Sequence, residues 1–103
     1  MKKIENLSNK IEKEIQDAYE YAKCALELKD SEPELAETYY KIASNRMNDM
    51  TLMHEQVVKI IDEYRKEYGD PPAGMQVLYN ILHKKHIENA AVVKGMLALF
   101  NES

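Results

Sequence analysis

The chain has 103 residues, of which 45 % are apolar and 31 % charged, with a net charge of −4 and a pI near 5.4. That describes one domain spanning residues 1–103, large enough for a core and too apolar for disorder. The single cysteine, Cys24, excludes an internal disulfide and a thiolate zinc site, and no Lys/Arg cluster supports nucleic-acid binding.

The opening stretch "MKKIENLSNKIEKEI" lacks the apolar region of a signal peptide. "GMLALF", near the other end, is too short to span a bilayer. The expected location is the cytoplasm, or a virion assembled there, with no membrane partner.

Glycine and proline are scarce and punctuate the chain at two corners, one at Pro33 in "KDSEPEL" and one at Gly69 with Pro71-Pro72. Between them lie good helix formers. The first helix is expected from Ile4 to Lys29, with Leu7, Ile11, Ala18, Tyr21, Ala25 and Leu28 on its buried stripe. Cys24 lies among alanines there and reads as a small core residue. Ser31 should cap the second helix: S-E-P-E has a capping-box glutamate and puts Pro33 in the first turn. This helix is expected over residues 32–68, roughly 50 Å long at 1.5 Å per residue. Its stripe is Tyr39, Ala43, Met50, Met53, Val57, Ile61 and Tyr64, and Gly69 should form a left-handed cap. Asp70 should cap the third helix, with Pro71 at its first position and Leu78, Leu82, Val93, Met96 and Phe100 buried. Short corners make neighbouring helices antiparallel. The fold class is therefore all-α, an up-down-up three-helix bundle of long antiparallel helices.

The end of the third helix, "NAAVVKGMLALF", is apolar on more than one face. Surplus apolar surface marks an interface, so a homo-oligomer is expected, a dimer in the simplest case, with Val93, Gly95, Met96 and Phe100 at its contact. Gly95 weakens a helix and suggests a close helix contact.

Polar residues on the core stripes carry the remaining information. Reflecting the helices about residues 31 and 32 puts Asp17 level with Arg46, and Glu14 level with Asp49. A charge on a core stripe needs a partner, so Arg46 should form a buried ion pair with Glu14 or Asp17. Reflection about residue 70 puts His54 level with His86, while His83 falls on the next face. A metal alternative would use His54, His86, Glu14 and Asp49, but zinc or iron needs three or four converging ligands and only two are secured. Met47, Met50 and Met53 fill core space or form an adaptable protein-binding face. Nothing in the sequence has the pattern of a nucleophile with its base, a phosphate loop or a paired-carboxylate cleft, so no catalytic residue and no cofactor is assigned.

The stretch "IQDAYEYAKCALELKDSEPELAETYYKIASNRMNDMTLMHE" resembles the first helical hairpin of small bacterial and phage ferritin-like proteins. In those proteins the second helix reads L-A-x-x-E-x-x-H, often with a further L-H. Here Ile42-Ala43 and Met53-His54 follow the pattern, while Arg46 replaces the glutamate and Asp49 the first histidine. The resemblance implies a ferritin-like fold completed by oligomerisation. It argues against di-iron chemistry, because Arg46 would place positive charge where the metal would sit. The leading functional expectation is a non-catalytic structural or interaction protein, prophage-encoded by that resemblance. The alternatives are a divalent-metal (iron) binder and a small inhibitor that binds a host or defence protein.

Overall fold

The computed structural model describes residues 2–102, which form three α-helices: α1 (Lys2–Leu28), α2 (Pro33–Tyr68) and α3 (Ala73–Asn101). They lie along one axis in a rod of 55 × 19 × 18 Å. α1 packs against α2 along its length and carries most of the contact to α3, whereas α2 and α3 touch sparsely.

The buried residues of α1 are Ile4, Ser8, Ile11, Ile15, Ala18, Ala22 and Ala25. Their spacing alternates four and three, the heptad seam of helices packed side by side. On α2 the buried Ala36, Ala43, Met47 and Met50 obey the same alternation. It continues through the half-buried His54, Val57, Ile61 and Tyr64. α3 contributes His86, Ala90, Val93 and Phe100. The seam is therefore offset from the stripes expected from sequence: Leu7, Tyr21 and Leu28 are half-buried flanks and Leu78 is exposed. Alanine at Ala18, Ala22, Ala25, Ala36 and Ala43, each at most 1 % exposed, removes side-chain bulk and lets the α1 and α2 backbones approach. Cys24 is a free, half-buried thiol beside this seam.

Two clusters make the core. The central one joins Ile11, Ile15 and Ala18 of α1 with Met47 and Met50 of α2 and Ala90 and Val93 of α3. The second closes one end of the rod around Ala25, Ala36 and Phe100. There Tyr40 stacks on Phe100 with ring centroids 4.7 Å apart, and Asn101 Nδ2 donates to Tyr40 Oη at 2.8 Å. Lys29 Nζ lies 5.4 Å from the Phe100 ring centroid and donates to the Glu102 carbonyl.

The corners correct two expected caps. Ser31 lies in the turn and Glu32 is the N-cap residue of α2, without a side-chain cap hydrogen bond. Pro33 does occupy the first turn. At the second corner Asp70 does not cap α3; Pro72, extended at ψ 145°, is its N-cap residue. A proline disfavours the helical conformation of the residue before it, so consecutive prolines delay the start of α3 to Ala73. The Pro71 carbonyl instead accepts from Gln76 Nε2. Gly69 ends α2 as expected, at φ 80°, with its N–H donating to the Arg65 carbonyl at 2.9 Å.

Val93 is fully buried and Phe100 is 8 % exposed, so both serve the chain's own core and cannot form an exposed interface. Gly95 is exposed, and a Cβ added there would meet nothing within 4 Å, so it makes no close helix contact inside the chain.

Because Gly69 alone has positive φ among the described residues, Gly69→Ala should destabilise the protein by roughly 1 kcal/mol. Gly74→Ala, in open space on α3, should be neutral or slightly stabilising. Urea unfolding of both variants measures the contrast.

Candidate functional site

The polar residues form two separate groups. In the first, Arg46 Nη1 lies 3.7 Å from Glu14 Oε2, with the side chains 39 % and 20 % exposed. Asp17 is half-buried and makes no ion pair with Arg46, and Asp49 is exposed. Glu14 and Arg46 stand one position off the seams that carry Ile15 and Met47, where coiled helices place flanking ion pairs. This corrects the expectation of a buried pair: the pair is real, and its partner is Glu14, but water reaches both members. One carboxylate oxygen, Glu14 Oε2, is nevertheless buried without a hydrogen bond.

The second group lies nearer the Gly69 corner, where the three helices enclose a half-open cleft of about 240 Å³. Ile4, Ser8 and Ile11 of α1 contribute to its lining, as do Val57 and Ile61 of α2 and Leu82 of α3. His54, His83 and His86 also line it, and Asp62, Arg65, Tyr79 and Asn80 complete its polar border. His54 Nε2 and His83 Nδ1 are 3.2 Å apart, with the rings stacked at 5.0 Å between centroids and 22° between planes. His86 is 6 % exposed, and its Nε2 is buried with no hydrogen-bond partner.

His83, not His86, is therefore the direct partner of His54. The reason also explains why Arg46 meets Glu14 rather than Asp17. A corner reflection assumes equal rise per residue on both sides. The corner residues before α2 and α3 are extended (Glu32 at ψ 72°, Pro72 at ψ 145°), so they cover more distance per residue than a helix does. Each following helix is thereby advanced beyond a simple reflection, in the direction observed, where the partner number falls by three at both corners.

Burial in the cleft disfavours the charged form of two of its imidazoles, those of His54 and His86. Burial lowers the pKa of His54, and the neighbouring His83 lowers it further. Burial also lowers that of His86; Glu12 opposes the shift, while Lys85, His83 and His54 add to it. Glu12 is itself held by Lys85 Nζ at 2.9 Å, which lowers the carboxylate's pKa. Tyr79 is pushed up by burial and by Glu5 and Tyr64.

The four residues of the metal alternative do not meet: His54 and His86 line the cleft, while Glu14 lies at the Arg46 level and Asp49 is exposed. Among the described residues, no three His, Cys, Asp or Glu side chains are grouped so as to hold a metal ion. Sequence reasoning found His54 and His86 but missed Ser8 and the role of His83. The signal was the four-three alternation itself, which passes through Ser8 and His54.

No known family model matches this chain, and no curated protein or solved structure shows significant similarity to it. Among the described residues, no helix is long and apolar enough to cross a membrane.

Two outcomes follow from these groups. Arg46→Ala should cost about 1 kcal/mol, and a double-mutant cycle with Glu14→Gln should give a coupling below about 1 kcal/mol, as for water-exposed pairs. For His54 and His86, the folded pKa lies below the unfolded value of about 6.5. The unfolded chain then binds more protons, so stability is complete above about pH 6.5 and falls as the pH drops toward the folded pKa values. Urea titrations from about pH 7.5 to 5 should show this loss, and replacing His54 and His86 by Gln should flatten it.

Proposed function

We propose that this chain is a non-catalytic helical interaction protein of ferritin-like type that works as a homodimer through the outward face of α3. The observation that carries this reading is that α3 is apolar on two opposite sides. Ala90, Val93 and Phe100 face the core, while Val77, Ile81, Val92 and Leu99 are 58, 60, 53 and 54 % exposed. A helix apolar all round is normally covered on every side, and α1 and α2 cover only one.

The pattern of the outward face selects a second copy of the chain as its cover. Its residues are arranged symmetrically about Glu88: Ile81 and Gly95 lie seven positions to either side, and Val77 and Leu99 eleven. Two α3 helices packed antiparallel about a two-fold axis at Glu88 would set Ile81 of one copy against the bare backbone at Gly95 of the other, and Val77 against Leu99. Such a self-complementary patch is what a two-fold dimer requires. Each Glu88 near the axis is accompanied by Lys84 of its own helix at 4.0 Å. Gly95, which has no neighbour within its own chain, thereby acquires a purpose. Of the residues expected at the interface from sequence, Gly95 remains central and the half-buried Met96 flanks it.

Light scattering should give twice the 12.0 kDa chain mass at high micromolar concentration. Ile81→Glu should halve that mass without loss of helicity, since its carboxylate would be buried unpaired. Gly95→Leu should also dissociate the dimer while stabilising the isolated helix. A mass of one chain at millimolar concentration overturns the reading.

A further inference from the structure

The cleft between α2 and α3 is separate from the outward face of α3, and the dimer leaves it unused. Three of its properties bear on what it could hold. Its volume, about 240 Å³, exceeds that of an engineered apolar cavity of about 150 Å³ that accepts benzene. Much of its lining is branched aliphatic: Ile4, Ile11, Val57, Ile61 and Leu82. Its polar character is dominated by three imidazoles, among which the Nε2 of His86 is buried without a hydrogen-bond partner. An apolar cleft with a few polar groups at one side, here the paired rings of His54 and His83, suits a ligand with an apolar body and a single polar head.

The charges around the imidazoles decide the sign of that head. From α1, Glu12 is committed to Lys85 of α3 at 2.9 Å. From α2, Glu55 acts on His54 as a neighbour, Asp62 lines the cleft, and Arg65 is paired with Asp70 at 3.7 Å. From α3, Tyr79 and His83 complete the surroundings. No carboxylate of the chain forms an ion pair with any of the three imidazoles among the described residues. Burial lowers the pKa of His54 and His86, and the nearby carboxylates Glu55 and Glu12 only oppose that shift without forming an ion pair. An incoming anion would supply the missing counter-charge and permit protonation. A divalent metal is less well served, because among the described residues these histidines and the nearby carboxylates are not grouped closely enough to hold one. A phosphate, strongly hydrated, would gain nothing from the aliphatic walls.

We propose that this cleft binds a small carboxylic acid with a branched-alkyl or single-ring body, its carboxylate accepting hydrogen bonds from the His54–His83 pair, with His86 in the wall of the cleft. The acid enters as its anion, and the site takes up one proton from solvent. In the free protein a single N–H bridges His54 and His83; in the complex both rings carry donors and the carboxylate accepts from them. The aliphatic walls cover the body, and the Asp62 and Arg65 border stays in water.

The experiment is calorimetric titration of the intact protein with phenylacetate and, separately, with its neutral isostere phenylacetamide. At about pH 6 the acid should bind at least about tenfold more tightly than the amide, and its affinity should fall by up to about tenfold per pH unit as the pH is raised above the imidazole pKa. Buffers of different ionisation enthalpy should report uptake of about one proton. In proton–carbon spectra, the ring signals of His54, His83 and His86 should move with the acid. Leu82→Trp, which fills the cleft while leaving the histidines in place, should abolish binding with helicity retained. His83→Gln removes the bridging partner and should reduce affinity and the proton count together. Equal affinities for acid and amide, an affinity independent of pH, or binding unaffected by Leu82→Trp would each overturn the proposal. So would histidine signals that respond to zinc alone and to neither organic probe.

Discussion

Everything in this rod depends on the seam of α1. Two helices pack on one, and the one in the middle must present its narrowest surface to both. From Ile15 onward the seam is Ile15, Ala18, Ala22 and Ala25, and the alanines let backbones approach where larger side chains would hold them apart. Burial of small residues yields less transfer free energy per position than burial of leucine. The deficit is offset by length, because α1 packs against α2 along the whole of its 27 residues, roughly 40 Å at 1.5 Å per residue. It also explains why α3 relies on a few larger anchors, Val93 and Phe100, and why so much of its apolar surface is left outside.

The same seam turns polar toward its N-terminal half. Ser8 is 9 % exposed, and His86 of α3 is buried with it, while the heptad alternation of α2 brings His54 to the same cleft. Polar residues at core positions weaken packing but fix register, and here they coincide with the half-open cleft among the three helices. The cleft is thus a consequence of core composition. Aliphatic residues in place of the histidines would favour closer packing of these helices.

How much of this could be read in the sequence follows from what each residue reports. The helices, the corners and the cap at Gly69 were legible because proline and glycine constrain the backbone wherever they stand. The partnership of Arg46 and Glu14 was legible because opposite charges on facing stripes must meet. The buried stripe of α1 was displaced because apolarity favours large residues such as Leu7, Tyr21 and Leu28, whereas this interface selects small ones, Ser8 and Ala22. That displacement made Arg46 and Glu14 look like core residues when they are flanks. The caps at Ser31 and Asp70 failed for a different reason. At the first corner Pro33 already presets the start of α2, and at the second Pro71 and Pro72 separate Asp70 from the start of α3 at Ala73. The cleft could not be read at all, since its walls come from three helices whose mutual register the sequence does not give.

The clasp at the far end of the rod has a further consequence for how the molecule comes apart. Phe100, Asn101 and Glu102 are bound there by Tyr40 and Lys29, with aromatic stacking, hydrogen bonds and a cation over a ring. At the opposite end α3 begins after two prolines with no side-chain cap and faces an open cleft. Thermal fluctuation should therefore peel α3 from its first residues, with Phe100 as the hinge pin. Amide protons of residues 73–85 would exchange through this sub-global opening, while those of α1 would await complete unfolding. The rod is in effect a stable two-helix stem carrying a third helix that is fastened at one end, and its slowest-exchanging amides should mark the alanine seam.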